Sequence, residues 1–111
     1  MHTSVRKYTV DPERMDELIH RVDETFAPRV EAMPGFVAYE LLDCGNGILL
    51  TITTCHDREA AERSVELAAD FVAKELEGIE IERVEATIGE VGVSRAIAEM
   101  LEPTRASTFT L

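Results

Sequence analysis

The sequence predicts an α+β domain: an antiparallel four-stranded sheet with helices on one face. Three observations lead there. Strand-like and amphipathic helical runs follow one another in the order β-α-β-β-α-β. The two middle strands are joined by a glycine-rich stretch, Gly45-Asn46-Gly47, suited to a tight hairpin. Each helical run opens on an aspartate placed to cap it, Asp11 and Asp57.

The first strand is "VRKYTV" (5–10), rich in β-formers and ended by Asp11-Pro12. Asp11 caps free backbone N–H groups, and Pro12 suits the first helical position because its missing N–H is not needed there. Met15, Leu18, Ile19, Val22, Phe26, Val30 and Met33 then recur at helical spacings and form one apolar face. Pro28 interrupts that run and predicts a kink or break near Thr25–Phe26, followed by a final turn. Pro34-Gly35 ends the helix. "FVAYELLD" (36–43) and "ILLTITTC" (48–55) are the hairpin strands, with Asn46-Gly47 the favoured pair for a type I′ turn. A second helix spans roughly 58–77, with Ala61, Val65, Ala68, Val72 and Leu76 on one face, Phe71 beside them and Gly78 closing it. "IEIERVEATI" (79–88) is the fourth strand, alternating through Val84, Ala86 and Ile88. Ser94 is placed to cap a short helix carrying Ile97, Met100 and Leu101, ended by Pro103 before the tail at 104–111.

This order is the ferredoxin-like plan. The domain is expected over 1–92, with 93–111 as an extension. In the second strand Val37, Tyr39 and Leu41 alternate with Phe36, Ala38 and Leu42, so both faces are apolar. Helices cover only one, and a partner sheet is the simplest cover for the other. A homodimer is therefore expected.

Charge narrows the possible partners. The 111 residues hold 22 acidic and 11 basic side chains, a net charge of −11. That argues against nucleic acid and against an anionic membrane surface. No run approaches the roughly 18 apolar residues of a membrane span. The N-terminal residues show no apolar signal core, so a cytoplasmic protein is expected. Cys44 and Cys55 fall at opposite ends of the hairpin, too far apart for an intrachain disulfide.

Few residues invite chemistry. Cys55-His56 suggests a thiolate–imidazole pair, with the helix start beyond it slightly acidifying the thiol. Adjacent strand residues point to opposite faces, so a buried structural thiol is the more frequent outcome. His20 sits at the edge of the apolar stripe of helix one and could serve as a general base in a pocket; a solvated helix-face histidine near Asp16, Asp23 and Glu24 is the simpler alternative. His2 and His56 read as near-terminal and loop residues. No histidine or cysteine spacing matches a metal site, and no Asp/Asn-rich loop offers a Mg²⁺ or Ca²⁺ cradle. Tyr8 and Tyr39 are the only phenols, suited to orienting a substrate oxygen or to packing. Ser64 lacks a GxSxG elbow, which argues against a serine hydrolase.

The long first helix ending "AMPGFVAYELL", the hairpin and the "TTCHDREAAERS…F" entry into helix two resemble the antibiotic biosynthesis monooxygenase-like domain of the dimeric α+β barrel superfamily. The resemblance covers roughly residues 3–92 and is carried by Pro34-Gly35-Phe36, Asp57, Ala60-Ala61 and Phe71. It implies a homodimer that binds a small, aromatic or apolar organic molecule and oxidises it without a bound cofactor. Three departures qualify it. Cys55 stands where the family commonly has Trp, and Ser64 where haem-degrading members have their axial His. Tyr8, Thr9 and Thr51 stand near the place of an oxygen-assisting Asn. Haem degradation is thus disfavoured. Tyr39, His20 and Cys55 are the catalytic candidates, as orienter, base and pocket thiol. Tyr8, Phe26, Ser64 and Phe71 are the candidate pocket residues. The alternatives are a non-catalytic binding domain of the same fold and a related dimeric-barrel isomerase or lyase.

Overall fold

The computed structural model describes residues 1–96. Strand β1 (His2–Val10) leads into a 3-10 turn (Pro12–Arg14), helix α1 (Met15–Arg21), a π-helical segment (Val22–Phe26) and helix α2 (Ala27–Glu31). Strands β2 (Phe36–Asp43) and β3 (Ile48–Cys55) form the hairpin. Helix α3 (Arg58–Glu75) and strand β4 (Ile81–Glu90) complete the domain. The sheet order is β2-β3-β1-β4, antiparallel throughout, with the helices on one face: a ferredoxin-like fold.

Local chemistry explains most of the boundaries. The Asp11 carboxylate accepts from the Glu13 N–H at 3.0 Å, and Asp57 accepts from the Ala60 N–H at 2.8 Å. In the hairpin, Ile48 N–H donates to the Gly45 carbonyl across Asn46 (φ 53°) and Gly47 (φ 75°), the positive-φ pair of a type I′ turn. Gly47 could not be another residue, because a Cβ there would strike the Val10 carbonyl. Where the sequence suggests a kink, the chain widens instead. Pro28 has no N–H to offer Glu24 and its ring crowds that carbonyl. The turn before it relaxes into π geometry, with Ala27 N–H reaching back to the Val22 carbonyl.

Three sequence expectations shift in register. In β2 an irregularity between Phe36 and Ala38 inserts an extra residue, so Phe36 packs on the core with Tyr39 and Leu41 rather than opposite them. On α3 the buried stripe is Ala60, Ala61, Ser64, Ala68 and Phe71, while Val65 and Val72 are only half-buried. The small residues at four-residue spacing let the helix lie close on the sheet. Strand β4 runs over 81–90 instead of 79–88, and a second irregularity opposite Lys7 and Tyr8 leaves Val84 half exposed and Ala86 exposed. Residues 93–96 have no regular structure, and most of the helix expected from Ser94 onward lies outside the described residues.

The core between sheet and helices centres on Leu18, Val30, Leu49, Phe26 and Leu76. The opposite sheet face is bare. Val5, Val37 and Leu42 remain 37%, 40% and 39% exposed, and Val5 pairs across strands with Ile52 as Leu42 does with Leu50. No described helix is long and apolar enough to cross a membrane. Cys44 is exposed and Cys55 buried, both as free thiols.

Candidate active site

Strand alternation turns Ser4, Arg6, Tyr8 and Val10 of β1 toward the helices, and Leu49, Thr51, Thr53 and Cys55 of β3 beside them. Between these strands, Tyr39 and Leu41 of β2, and the helices lies a partly open cavity of about 30 Å³. That is room for about two water molecules. Phe26, on the π-helical segment, meets Tyr39 edge-on at 5.4 Å between ring centroids and Phe71 at 5.2 Å. The wall is thus an aromatic cluster with a polar floor.

The floor is Arg6, which has no solvent-exposed surface. Its Nε donates to Thr51 Oγ1 at 2.9 Å, Nη1 to Ser4 Oγ at 2.7 Å, and Nη2 to Thr53 Oγ1 at 3.0 Å. The relay continues away from the cavity. Ser64 Oγ donates to the Ala61 carbonyl at 2.6 Å, which leaves it to accept from Ser4 Oγ at 3.1 Å. Every partner of the guanidinium is a neutral hydroxyl. Among the described residues no carboxylate pairs with Arg6.

The structure gathers some of the sequence candidates and scatters others. Tyr8, Phe26, Phe71 and Tyr39 all line the cavity. Burial pushes the Tyr39 phenol well above its ordinary range, partly offset by the Arg6 charge and reinforced by Tyr8. Tyr39 therefore stays protonated. Ser64 lies off the cavity, as the far end of the hydroxyl relay. His20 does not line the cavity: it sits on the exposed side of α1 with Nε2 3.3 Å from Glu24 Oε1. The spacing that buries Leu18, Ile19 and Val22 turns position 20 outward. Cys55 packs in a separate cluster with Ala60 and Ala61. Burial raises its pKa, with the Asp57 charge adding to the effect, so the acidification expected from the helix start is reversed. His56 is exposed, its backbone N–H bonded to the Gly35 carbonyl. Arg6 itself escapes a sequence reading, because arginine is seldom buried. The available signal was the strict alternation that sets it beside Tyr8.

No family model matches this sequence, and no curated protein does. Solved structures do. An antibiotic biosynthesis monooxygenase-like protein from Chloroflexus aurantiacus is 16% identical, with 87% of this chain and 98% of that one aligned and a TM-score of 0.62. The haem degrader MhuD from Mycobacterium tuberculosis, solved with two haems in its active site, is 20% identical, covering 86% and 100%, with a TM-score of 0.62. SnoaB from Streptomyces nogalater, a cofactor-independent oxygenase, is 20% identical, covering 84% and 94%, with a TM-score of 0.54. The chain shares the fold of the monooxygenase-like proteins.

Haem does not fit this site. No histidine lines the cavity, and Ser64, which stands at the position of the axial ligand in the resemblance, is committed to Ala61 and Ser4. Among the described residues, no three His, Cys, Asp or Glu side chains come together to hold a metal.

Proposed function

We propose that this chain is a homodimeric monooxygenase-like protein that takes a small aromatic molecule between sheet and helices and oxidises it with no bound cofactor. The observation that carries the reading is the cavity itself, an aromatic cluster with Tyr39 and Arg6 in its lining. Tyr39, protonated, orients a substrate oxygen by donating to it. The cavity is smaller than the roughly 300 Å³ typical of a ligand site, so an aromatic guest must displace the rings, and Phe26 sits on the least regular helical segment. The bare apolar sheet face supports the dimer, since two such faces packed together bury Val5 and Leu42 of both copies.

Oxygen uptake with a panel of dihydroxy-aromatic and quinol substrates tests the activity. Uptake is expected in the wild type, unchanged in His20→Ala and lowered about a hundredfold in Tyr39→Phe, the usual scale for loss of one oriented donor. Uptake absent from the whole panel, or indifferent to Tyr39→Phe, would sink the enzymatic reading. Sedimentation at twice the mass of one chain, reverting to monomer in Leu42→Glu, tests the dimer.

A non-catalytic binding domain is the second reading, and one observation favours it: among the described residues the cavity contains no base. His20 is outside, the Cys55 thiol is buried elsewhere, and the Tyr39 phenol is held protonated. Binding without oxygen uptake would select it.

A further inference from the structure

Taking an arginine entirely out of water is costly unless an anion accompanies it. Arg6 has no such companion among the described residues. A guanidinium carries five N–H donors. Three are used, on Thr51, Ser4 and Thr53. The remaining two, one on each terminal nitrogen, have no partner among the described residues. The hydroxyls hold the fork in place without neutralising it. Arg6 also lines the cavity, and it is the sole charged residue to do so among the described residues. The other titratable groups there are Tyr8 and Tyr39.

We infer that the ligand of this cavity is an aryl oxyanion, a phenolate or aromatic carboxylate whose negative oxygen meets the free N–H groups of Arg6 while its ring packs among Phe26, Tyr39 and Phe71. The inference rests on the cavity reading above and deepens it. It also answers the lack of a base: a site that holds its substrate beside a buried cation lowers the pKa of the substrate's own hydroxyl, so the phenol sheds its proton to solvent on binding and needs no side chain to remove it. A low-dielectric setting strengthens that attraction.

The full-length protein is titrated with para-nitrophenol, whose phenolate alone is yellow, at a pH below the pKa of the free phenol. Para-nitroanisole, the methyl ether that cannot ionise, is the neutral control, and benzoate against benzamide repeats the comparison for a carboxylate. The expected result is growth of the phenolate absorbance on binding, with about tenfold or greater preference for each ionisable compound over its neutral partner. A preference confined to one pair identifies the oxyanion as phenolate or carboxylate. Arg6→Met is expected to abolish the preference while leaving the weaker neutral binding. The wild-type comparison decides the matter even if that variant does not fold. Equal binding of charged and neutral partners in both pairs, para-nitrophenol preferred over its ether yet bound colourless, or a preference that survives in a folded Arg6→Met would overturn the inference and leave the cavity reading standing. If none of the four compounds binds, the cavity reading falls and the inference with it.

Discussion

The layer between sheet and helices is packed in two different ways. Around Cys55 it is filled by small residues: Ala60 and Ala61 are wholly buried, and Gly35 (φ 85°) approaches so closely that a Cβ there would sit 2.9 Å from the Ala60 Cβ. Around Arg6 it is built from rings, Tyr8, Phe26, Tyr39 and Phe71, and these leave a cavity. Small residues on a close-set helix interlock fully, whereas large flat side chains meeting edge-on do not tile a space. The comparison teaches where to look for binding. Ligand capacity belongs to the incompletely packed half, and the Cys-His junction that draws the eye in the sequence belongs to the solid one.

The largest expected effect is at the centre of the ring cluster. Phe26→Ala removes the ring shared by Tyr39 and Phe71 and should cost about 3–5 kcal/mol in urea unfolding. A loss under about 1 kcal/mol would mean the ring half contributes little packing. A paired substitution sharpens the contrast. Ala60→Val and Ala68→Val add the same two methyl groups to one helix, so their difference is chiefly one of packing. Ala60→Val, in the solid half, should cost about 1–3 kcal/mol through overpacking. Ala68→Val, on the cavity wall, should be neutral or stabilising by up to about 1 kcal/mol while weakening para-nitrophenol binding. Equal costs at the two positions would erase the distinction between the halves.

The same contrast explains what could be read from the chain. The hairpin was legible because Asn46 and Gly47 demand a specific turn, and the helix starts because Asp11 and Asp57 have few other uses in those places. Ring residues of the cavity were legible as large apolar groups at helical or strand spacing. The strand β2 facing was not, because one inserted residue near Val37 reverses the parity on which alternation depends. His20 and Cys55 stand out in the sequence by reactive side-chain type, and type says nothing of which way an element turns. Arg6 is hidden in the sequence for the converse reason. Its charge argued for the surface, while its place between Ser4 and Tyr8 on the inward face of β1 argued for the core, and position prevailed.

The smallest effect probes the solid half through Cys55. Burial first and the Asp57 carboxylate second raise its pKa in the folded chain. Between the ordinary thiol pKa of about 8.5 and the raised folded value, the native state binds more protons than the unfolded one. Stability must then fall as pH rises. The contribution is intact below the ordinary value and is lost on the way up through the folded one. Urea midpoints measured from neutral pH to the thiol range and beyond should therefore decline, and Cys55→Ala should flatten part of that decline. A thiol-disulfide reagent should label exposed Cys44 at once and Cys55 only as fast as the domain opens. Rapid labelling of both thiols in the folded protein, or a decline unchanged in Cys55→Ala, would show that this half is not the solidly packed one.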